Sequence, residues 1–411
     1  MKLSTIAIGD ELLIGQVTDT NTGEIARRFA EIGWEVNNSQ VVADDADAIN
    51  RAIDRAFSTS DVVLMTGGLG PTKDDITKAT LLQRFGGEMT FNESVIENIQ
   101  RVFRLRGLTM NELTRRQAEV PSSCQVVQNR VGTAPIMWFD HNGKTLISMP
   151  GVPFEMRSAL DDIVPILQKR FQSDETIVRK TLLVVDVTES ALAMRLAQWE
   201  AALPHFAHLA YLPQPGLIRL RLDCHLHKGE SADINAIVAE LKALVGDNLL
   251  HDDDISLEEL LLNELKQRHL TIGTAESCTG GNIAHRITSI AGSSEAFIGG
   301  IVAYSNQVKM RQLGVSAATL DAVGAVSIPV VEQMVEGTCR ELSTDCAIAT
   351  SGIAGPGGGT DEKPVGTVCI AVKTPRGIVS ATHHFPGNRS RVIDRATNVA
   401  LITAIREIKK I

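Results

Sequence analysis

Residues 61–77 read DVVLMTGGLGPTKDDIT. Val62 to Met65 form an unbroken apolar run that stops at Thr66 and two glycines. A short run of this kind marks a strand buried on both faces, and the glycines mark the turn that leaves it. STIAIG (4–9) has the same texture, and between the two NTGEIARRFAEIGW (21–34) places Ile25, Phe29 and Ile32 at helical spacing. Strand, helix, strand, with polar and glycine-rich loops after the strands, predicts a parallel α/β sheet. KTLISMPGVPFEMRSALDDIVPIL (144–167) repeats the unit: a strand, a Pro/Gly turn, then a helix carrying Met156, Leu160 and Ile163.

At 411 residues the chain is too long for one ordinary core, and ~150 residues per domain predicts two to three domains. Its 44% hydrophobic and 22% charged residues match a folded globular chain. A formal charge of −9 excludes the broad cationic surface that sequence-independent nucleic-acid binding requires, and directs attention to small molecules. The six cysteines lack any C-x-x-C pair and read as reduced thiols rather than as a disulfide or zinc framework. No secretion signal or run of about 18 apolar residues is visible, so the expected location is cytoplasmic, with no membrane partner.

The texture predicts domains at 1–170, 171–252 and 253–411. In the middle stretch, ETIVRKTLLVVDV (175–187) and GLIRLRLDCHLH (216–227) read as strands and SADINAIVAELKALVGD (231–247) as an amphipathic helix, a small α+β module of KH-like type. It lacks the GXXG clamp of RNA-binding KH units, so a spacer or dimerisation role is the expectation. The last stretch is a second α/β unit: strands LTIGTA, AFIGGIVAYS, CAIATSG and GTVCIAVKT, with helices between them, one at 328–341, and a final helix.

Two constellations carry chemistry. In the first, Gly67, Gly68 and Gly70 follow a buried strand, where glycines let the backbone N–H groups approach a phosphate. Asp74 and Asp75 stand at the mouth of that loop, where they could hold a divalent cation or simply cap a helix. In the second, TAESCTGGNIAHRI (274–287) sets an acid, a hydroxyl, a thiol and two glycines ahead of a helix carrying Ile283, Ile287 and Ile290. Ser277 there is a nucleophile or a helix cap, and Cys278 is a thiol nucleophile or a packed side chain. With no nearby histidine, a serine nucleophile needs another base, such as a desolvated lysine or a tyrosinate, and Tyr304 and Lys309 follow the next strand. Backbone amides from Thr279 to Gly281 would face a developing oxyanion. SGIAGPGGGT (351–360), with Ser351, Gly352, Gly355 and Gly357, supplies a glycine loop, and Arg389 a phosphate fork, with Arg391 and Arg395 as alternatives. The loop lacks Walker A spacing, so ATP is not expected.

GDELLIG (9–15), TGGLGPTKDD (66–75), NRVGTAP (129–135) and PGVPFE (150–155) together resemble the three-layer molybdopterin-binding domain of MogA and MoaB proteins, and more closely the N-terminal half of the CinA family. The resemblance implies acidic site residues at Asp75 and at Asp44 or Asp45, with Glu11 and Asp19 as further carboxylates. It also implies either ADP-ribose pyrophosphatase activity with a divalent metal at Asp74 and Asp75, or a non-catalytic molybdopterin-like binding or assembly module. TAESCTGG, VAYSNQVKMRQLGV (302–315), GAVS (324–327), SGIAGPGGGTDEKPVGTV (351–368) and FPGNR (385–389) resemble the CinA C-terminal nicotinamide-nucleotide amidase domain. That resemblance implies hydrolysis of the carboxamide of nicotinamide mononucleotide (NMN) by Ser277, with Tyr304 and Lys309 handling the proton. It implies no cofactor for the amidase, pyridine nucleotide recycling as the setting, and a homodimer.

Overall fold

The computed structural model describes residues 1–72, 74–171, 175–227, 230 and 232–411. Lys73 of the glycine loop and Ser231, which opens the middle helical segment, lie outside the described residues. The chain forms two compact units, Met1–Val178 with His225–Ser231, and Arg179–Cys224 with Ala232–Ile411.

The first unit contains β1 (Lys2–Ile8), β2 (Glu35–Val42), β3 (Val62–Thr66), β4 (Met89–Phe91), β5 (Glu119–Pro121), β6 (Gln125–Val127), β7 (Ile136–His141) and β8 (Lys144–Met149). Six of them form one sheet in the order β2-β1-β3-β8-β7-β6, while β4 and β5 pair separately. The four strands β2, β1, β3 and β8 are parallel, and β8, β7 and β6 are antiparallel. The apolar run of β3 divides between two cores, as the two-residue side-chain period requires. Val62 and Leu64 pack with Ile25 and Phe29 of the helix Asn21–Ala30 and with Met156, Leu160 and Ile163 of the helix Pro153–Arg170. Val63 and Met65 pack with Ile49 and Ile53 of the helix Ala46–Thr59 and Leu81 of the helix Thr77–Phe85. The result is a three-layer α/β/α domain.

The expected parallel sheet is present and gains an antiparallel edge through the β7–β8 hairpin. Its turn is Asn142-Gly143, with φ of 50° and 78°. Two consecutive left-handed residues are what a tight hairpin demands, and Asn-Gly is the pair that adopts them at least cost.

The second unit begins with a four-stranded sheet in the order β10-β11-β9-β12, formed by β9 (Glu175–Val184), β10 (Ala207–Gln214), β11 (Leu217–His227) and β12 (Leu249–His251). With the helices Glu189–Ala201 and Ile234–Val245 it is α+β. Leu183, Val185, Leu217 and Leu250 belong to the same core as Leu261, Ile348, Ile370 and Leu401. The middle stretch thus shares its apolar core with the C-terminal one instead of standing as a third compact unit.

Five further strands, β13 (Ile272–Glu276), β14 (Phe297–Val302), β15 (Cys346–Gly352), β16 (Thr367–Thr374) and β17 (Gly377–His384), form a sheet in the order β14-β13-β15-β16-β17. β13 lies parallel to both neighbours, and β15, β16 and β17 are antiparallel. The helices Leu257–Gln267 and Arg389–Lys409 cover one face, and Ile328–Leu342 the other. β17 was not expected, because it alternates exposed and half-buried positions at a sheet edge and has no continuous apolar run. Successive connections from β13 lead to strands on its opposite sides. Crevices at the carboxyl ends of strands form at such switch points.

All six cysteines are free thiols. Among the described residues no helix is long and apolar enough to cross a membrane.

Candidate active site

At the carboxyl ends of β13, β14 and β15 a cavity of about 250 Å³ is lined by Ser277, Cys278, Tyr304, Asn306, Lys309, Ala325, Val326, Ser351, Gly352, Ala354 and Arg389. Each strand end delivers one part. Ser277 directly follows β13, and its N–H donates to Thr350 O at 3.0 Å, which ties the serine to β15. Ala303 and Tyr304 follow β14 and lead into the helix Asn306–Leu313, whose N-terminus is capped by the Ser305 hydroxyl. Ser351 is the penultimate residue of β15, and its hydroxyl donates to Ala325 O at 2.7 Å, holding the 324–327 turn against the strand end.

Lys309 is 1% exposed. Its Nζ lies 3.0 Å from Ser277 Oγ, 2.7 Å from Ala303 O and 3.3 Å from Tyr304 O. Burial lowers the pKa of the ammonium below its ordinary value, because the charged form loses hydration that the protein replaces only in part. As a neutral amine, Lys309 can donate its two hydrogens to the two carbonyls and turn its lone pair to the Ser277 hydroxyl. That arrangement describes a general base paired with a nucleophile.

For the neighbouring side chains, the packed reading of Cys278 is favoured and the expectation for Tyr304 changes. Cys278 is buried, and its thiol is pushed up to about 12, foremost by desolvation, so it is un-ionised near neutral pH and unsuited to attack. Tyr304 was expected to share the proton transfer through its phenol. Instead its side chain is 62% exposed and its hydroxyl accepts from Arg389 Nη2 at 3.2 Å. Only the Tyr304 carbonyl touches Lys309. Arg389 also donates from Nη1 to Gly355 O at 2.9 Å, so the guanidinium bridges the glycine loop and the Tyr304 rim.

The loop amides also differ from expectation. Glu276, 1% exposed, accepts from Gly281 N and Ile283 N at 3.0 Å, from Ala284 N at 2.8 Å and from Thr279 Oγ1 at 2.7 Å. Gly280 N donates to Ser277 O at 3.1 Å. The amides of Gly280 and Gly281 are therefore taken up inside the loop, and the Thr279 hydroxyl sits in a buried network with Glu276 and Thr350. Neither Ser277 nor Thr279 caps the helix Asn282–Thr288; the Glu276 carboxylate bonds its first amides. Gly352 and Ser351 line the cavity, whereas Gly357 is exposed and lies off it.

Sequence reasoning assigned no role to Glu276. The available signal was an acid closing a buried strand two residues ahead of paired glycines and a helix start. Replacing it strands three backbone donors at 1–3 kcal/mol each, so Glu276→Ala should lose on the order of 3 kcal/mol of stability. Denaturant unfolding checks this; a midpoint unchanged from wild type rejects the capping role.

The first unit has its own cavity, about 590 Å³, at the carboxyl ends of β1 and β3. Gly67, Gly68, Gly70, Asp44, Asp74, Asp75, Glu11 and Asp19 all line it. Gly67 and Gly68 have φ of 106° and 63°, and a Cβ on them would lie 2.2 Å from Ile8 O and 2.1 Å from Thr77 Oγ1, so only glycine fits. Asp44 accepts from Asp10 N at 3.1 Å, and burial raises its pKa, with the Asp10, Glu11 and Asp75 charges adding to the rise. Asp45 instead caps the helix Ala46–Thr59 through Ala48 N at 2.8 Å.

Asp74 and Asp75, the expected metal pair, both line the cavity but sit differently. Asp75 turns onto its own loop, accepting from Gly70 N at 2.7 Å, from Thr72 N at 2.9 Å and from the Thr72 hydroxyl. Asp74 is exposed, and no group of three or more His, Cys, Asp or Glu among the described residues is placed to hold a metal ion.

Residues 254–408 match the family described as "CinA C-terminal domain", and residues 4–169 match that described as "Probable molybdopterin binding domain". A CinA-like protein of Flavobacterium psychrophilum is 41% identical over 420 residues, covering 100% of this chain and 99% of its own. A CinA-like protein of Cytophaga hutchinsonii is 41% identical over 410 residues, covering 98% and 96%. The crystal structure of the competence/damage inducible protein CihA from Agrobacterium tumefaciens shares 39% identity, covers 36% of this chain and 94% of that one, and superposes with a TM-score of 0.36.

Proposed function

The chain belongs to the CinA family, and from that membership together with the Ser277–Lys309 contact we propose that its C-terminal domain is a serine amidase. The substrate we assign is NMN, cleaved to nicotinic acid mononucleotide and ammonia within pyridine nucleotide recycling. The observation that carries the reading is the buried Lys309 Nζ, 3.0 Å from Ser277 Oγ.

An amide resists attack, so the nucleophile has to be activated and the leaving nitrogen protonated. Ser277 Oγ forms a bond to the carboxamide carbon while its proton passes to Lys309 Nζ and the carbonyl π pair moves onto oxygen. Collapse of the tetrahedral adduct breaks the C–N bond, and Lys309 returns the proton to the departing nitrogen as ammonia. Water, deprotonated by the same amine, then attacks the acyl-serine ester; the ester C–O bond to Ser277 breaks, Lys309 returns the proton to Ser277 Oγ, and the acid is released. No cofactor takes part in these steps.

Arg389 is the group we assign to the 5′-phosphate. Its guanidinium is already positioned at the rim and can exchange the Tyr304 hydroxyl for a doubly charged oxyanion, a stronger acceptor. Arg389→Ala should therefore raise the KM for NMN about 10- to 100-fold. The riboside, which lacks the phosphate, should be insensitive to the change; an equal rise for both would remove Arg389 from phosphate binding. For the reading as a whole, the purified chain is incubated with NMN and ammonia is measured. Absence of release, at a pH where Lys309 is neutral, rejects it.

For the N-terminal domain we propose a second small-molecule site, for ADP-ribose, in the cavity bordered by Gly67, Gly68 and Gly70. It is supported by a glycine loop at the carboxyl ends of parallel strands, a common place for phosphates to meet backbone amides. AMP release from ADP-ribose, with and without a chelator, tests both the pyrophosphatase activity and its need for a divalent metal. Binding without turnover would favour the assembly or molybdopterin-like role.

A further inference from the structure

The tetrahedral adduct on Ser277 carries a negative oxygen, and an amide-cleaving site supplies hydrogen-bond donors to it. Two of the three amides expected to do so are engaged elsewhere, Gly280 N on Ser277 O and Gly281 N on Glu276. The polar side chains lining the cavity are also engaged, with one exception. Lys309 binds Ser277 and two carbonyls, Ser351 binds Ala325 O, and Arg389 binds Gly355 O and the Tyr304 hydroxyl. The side-chain amide of Asn306 has no intramolecular partner among the described residues.

Asn306 is the first residue of the helix Asn306–Leu313, and Lys309 lies three residues further on. Residues at that spacing share a helix face, and both line the Ser277 cavity. The side chain of Asn306 is exposed at the rim, where a bound nucleotide would cover it. Its Nδ2 offers two N–H donors and its Oδ1 an acceptor, the complement of a primary carboxamide's C=O and NH₂.

We propose that Asn306 is a catalytic residue of the amidase, its Nδ2–H donating to the oxyanion that forms when Ser277 adds to the carboxamide. The proposal rests on the serine amidase reading above. During the addition the proton moves from Ser277 to Lys309 and the carbonyl π pair to oxygen; Asn306 transfers no proton and only stabilises the oxygen that gains charge. Because the interaction strengthens as charge develops, its loss falls on kcat more than on KM.

Wild type, Asn306→Ala and Asn306→Asp are compared on NMN and on its thioamide analogue, whose sulfur is a poor hydrogen-bond acceptor. Asp keeps the shape of Asn and lacks its NH₂ donors, so it separates lost hydrogen bonding from lost packing. Both variants should lose about 10²- to 10³-fold in kcat on NMN, with KM changed by no more than about threefold. The preference of wild type for the oxygen over the sulfur substrate should shrink in step, a readout that a solvated or merely structural Asn306 would not move. A kcat within about threefold of wild type, or an unchanged oxygen-to-sulfur preference, overturns the proposal.

A fluorophosphonate that derivatises the serine separates this proposal from the choice of substrate. If wild type releases no ammonia from NMN yet is labelled at Ser277, the nucleotide assignment fails. The role of Asn306 is then decided by labelling rate, slower in Asn306→Ala if it stands and equal if it falls. If wild type neither turns over NMN nor labels, the serine reading and this inference both fall.

Discussion

Ser277→Ala should reduce ammonia release from NMN on the order of 10⁵-fold, the scale on which removal of an activated serine acts. No neighbouring group can replace the missing oxygen. Cys278 is adjacent in sequence, but burial pushes its thiol to about 12, and the hydrogen bond of Lys309 at this point goes to Ser277. The substitution removes one oxygen from a side chain that is 8% exposed and leaves the Ser277 N–H on Thr350 O untouched, so the loop should keep its shape. NMN binding, measured by calorimetry, should persist while turnover disappears. Activity within about tenfold of wild type would assign the nucleophile elsewhere.

Lys309→Met should cost about 10³-fold in kcat, within the range of a lost general base. Lys309→Arg should not restore it, because a guanidinium stays protonated throughout the accessible pH range. The pH dependence follows from the direction of the shift. Burial lowers the Lys309 pKa below 10.5, and the neutral amine is the form that accepts the Ser277 proton. For wild type, kcat/KM therefore rises with pH through that lowered value and falls as acid returns the ammonium. Stability follows the same linkage: between the lowered folded value and 10.5 the unfolded chain binds more protons, so Lys309's contribution to stability grows with pH across that window. A pH–rate profile in which Lys309→Met keeps the same limb at the same midpoint would take Lys309 out of the proton transfer.

The two predictions differ in what they ask of the molecule. Ser277→Ala tests the identity of one atom, whereas Lys309→Met tests a pKa that exists only because the fold excludes water from a lysine side chain. A lysine on a surface helix would be protonated near neutral pH and could not act as a base.

Much of the architecture was legible in local sequence. The run Val62–Met65 dictated a strand buried on both faces, and Ile25 with Phe29 dictated the helix that covers one of them. The C-terminal motifs also carry Ser277, Lys309, Ser351, Gly352 and Arg389, which line one cavity. The elements that escaped, β17 and the β7–β8 pairing, are edge or hairpin features whose burial depends on a neighbour. Their side chains alternate or their turn residues act over two positions, so no long apolar run announces them.

Residue types and spacings were enough to specify an α/β chain with glycine loops after buried strands, and the family resemblance singled out Ser277 with Tyr304 and Lys309. Tertiary structure decided the role of each polar group, because hydrogen-bond partners and dehydration are set by residues distant in sequence. It made Glu276 the cap and left Cys278 a thiol. It turned Tyr304 toward Arg389, separated Asp44 from Asp45, and drew Asp75 onto its own loop. Above all it set the Lys309 amine, 32 residues along the chain, 3.0 Å from Ser277 on a side chain only 1% exposed.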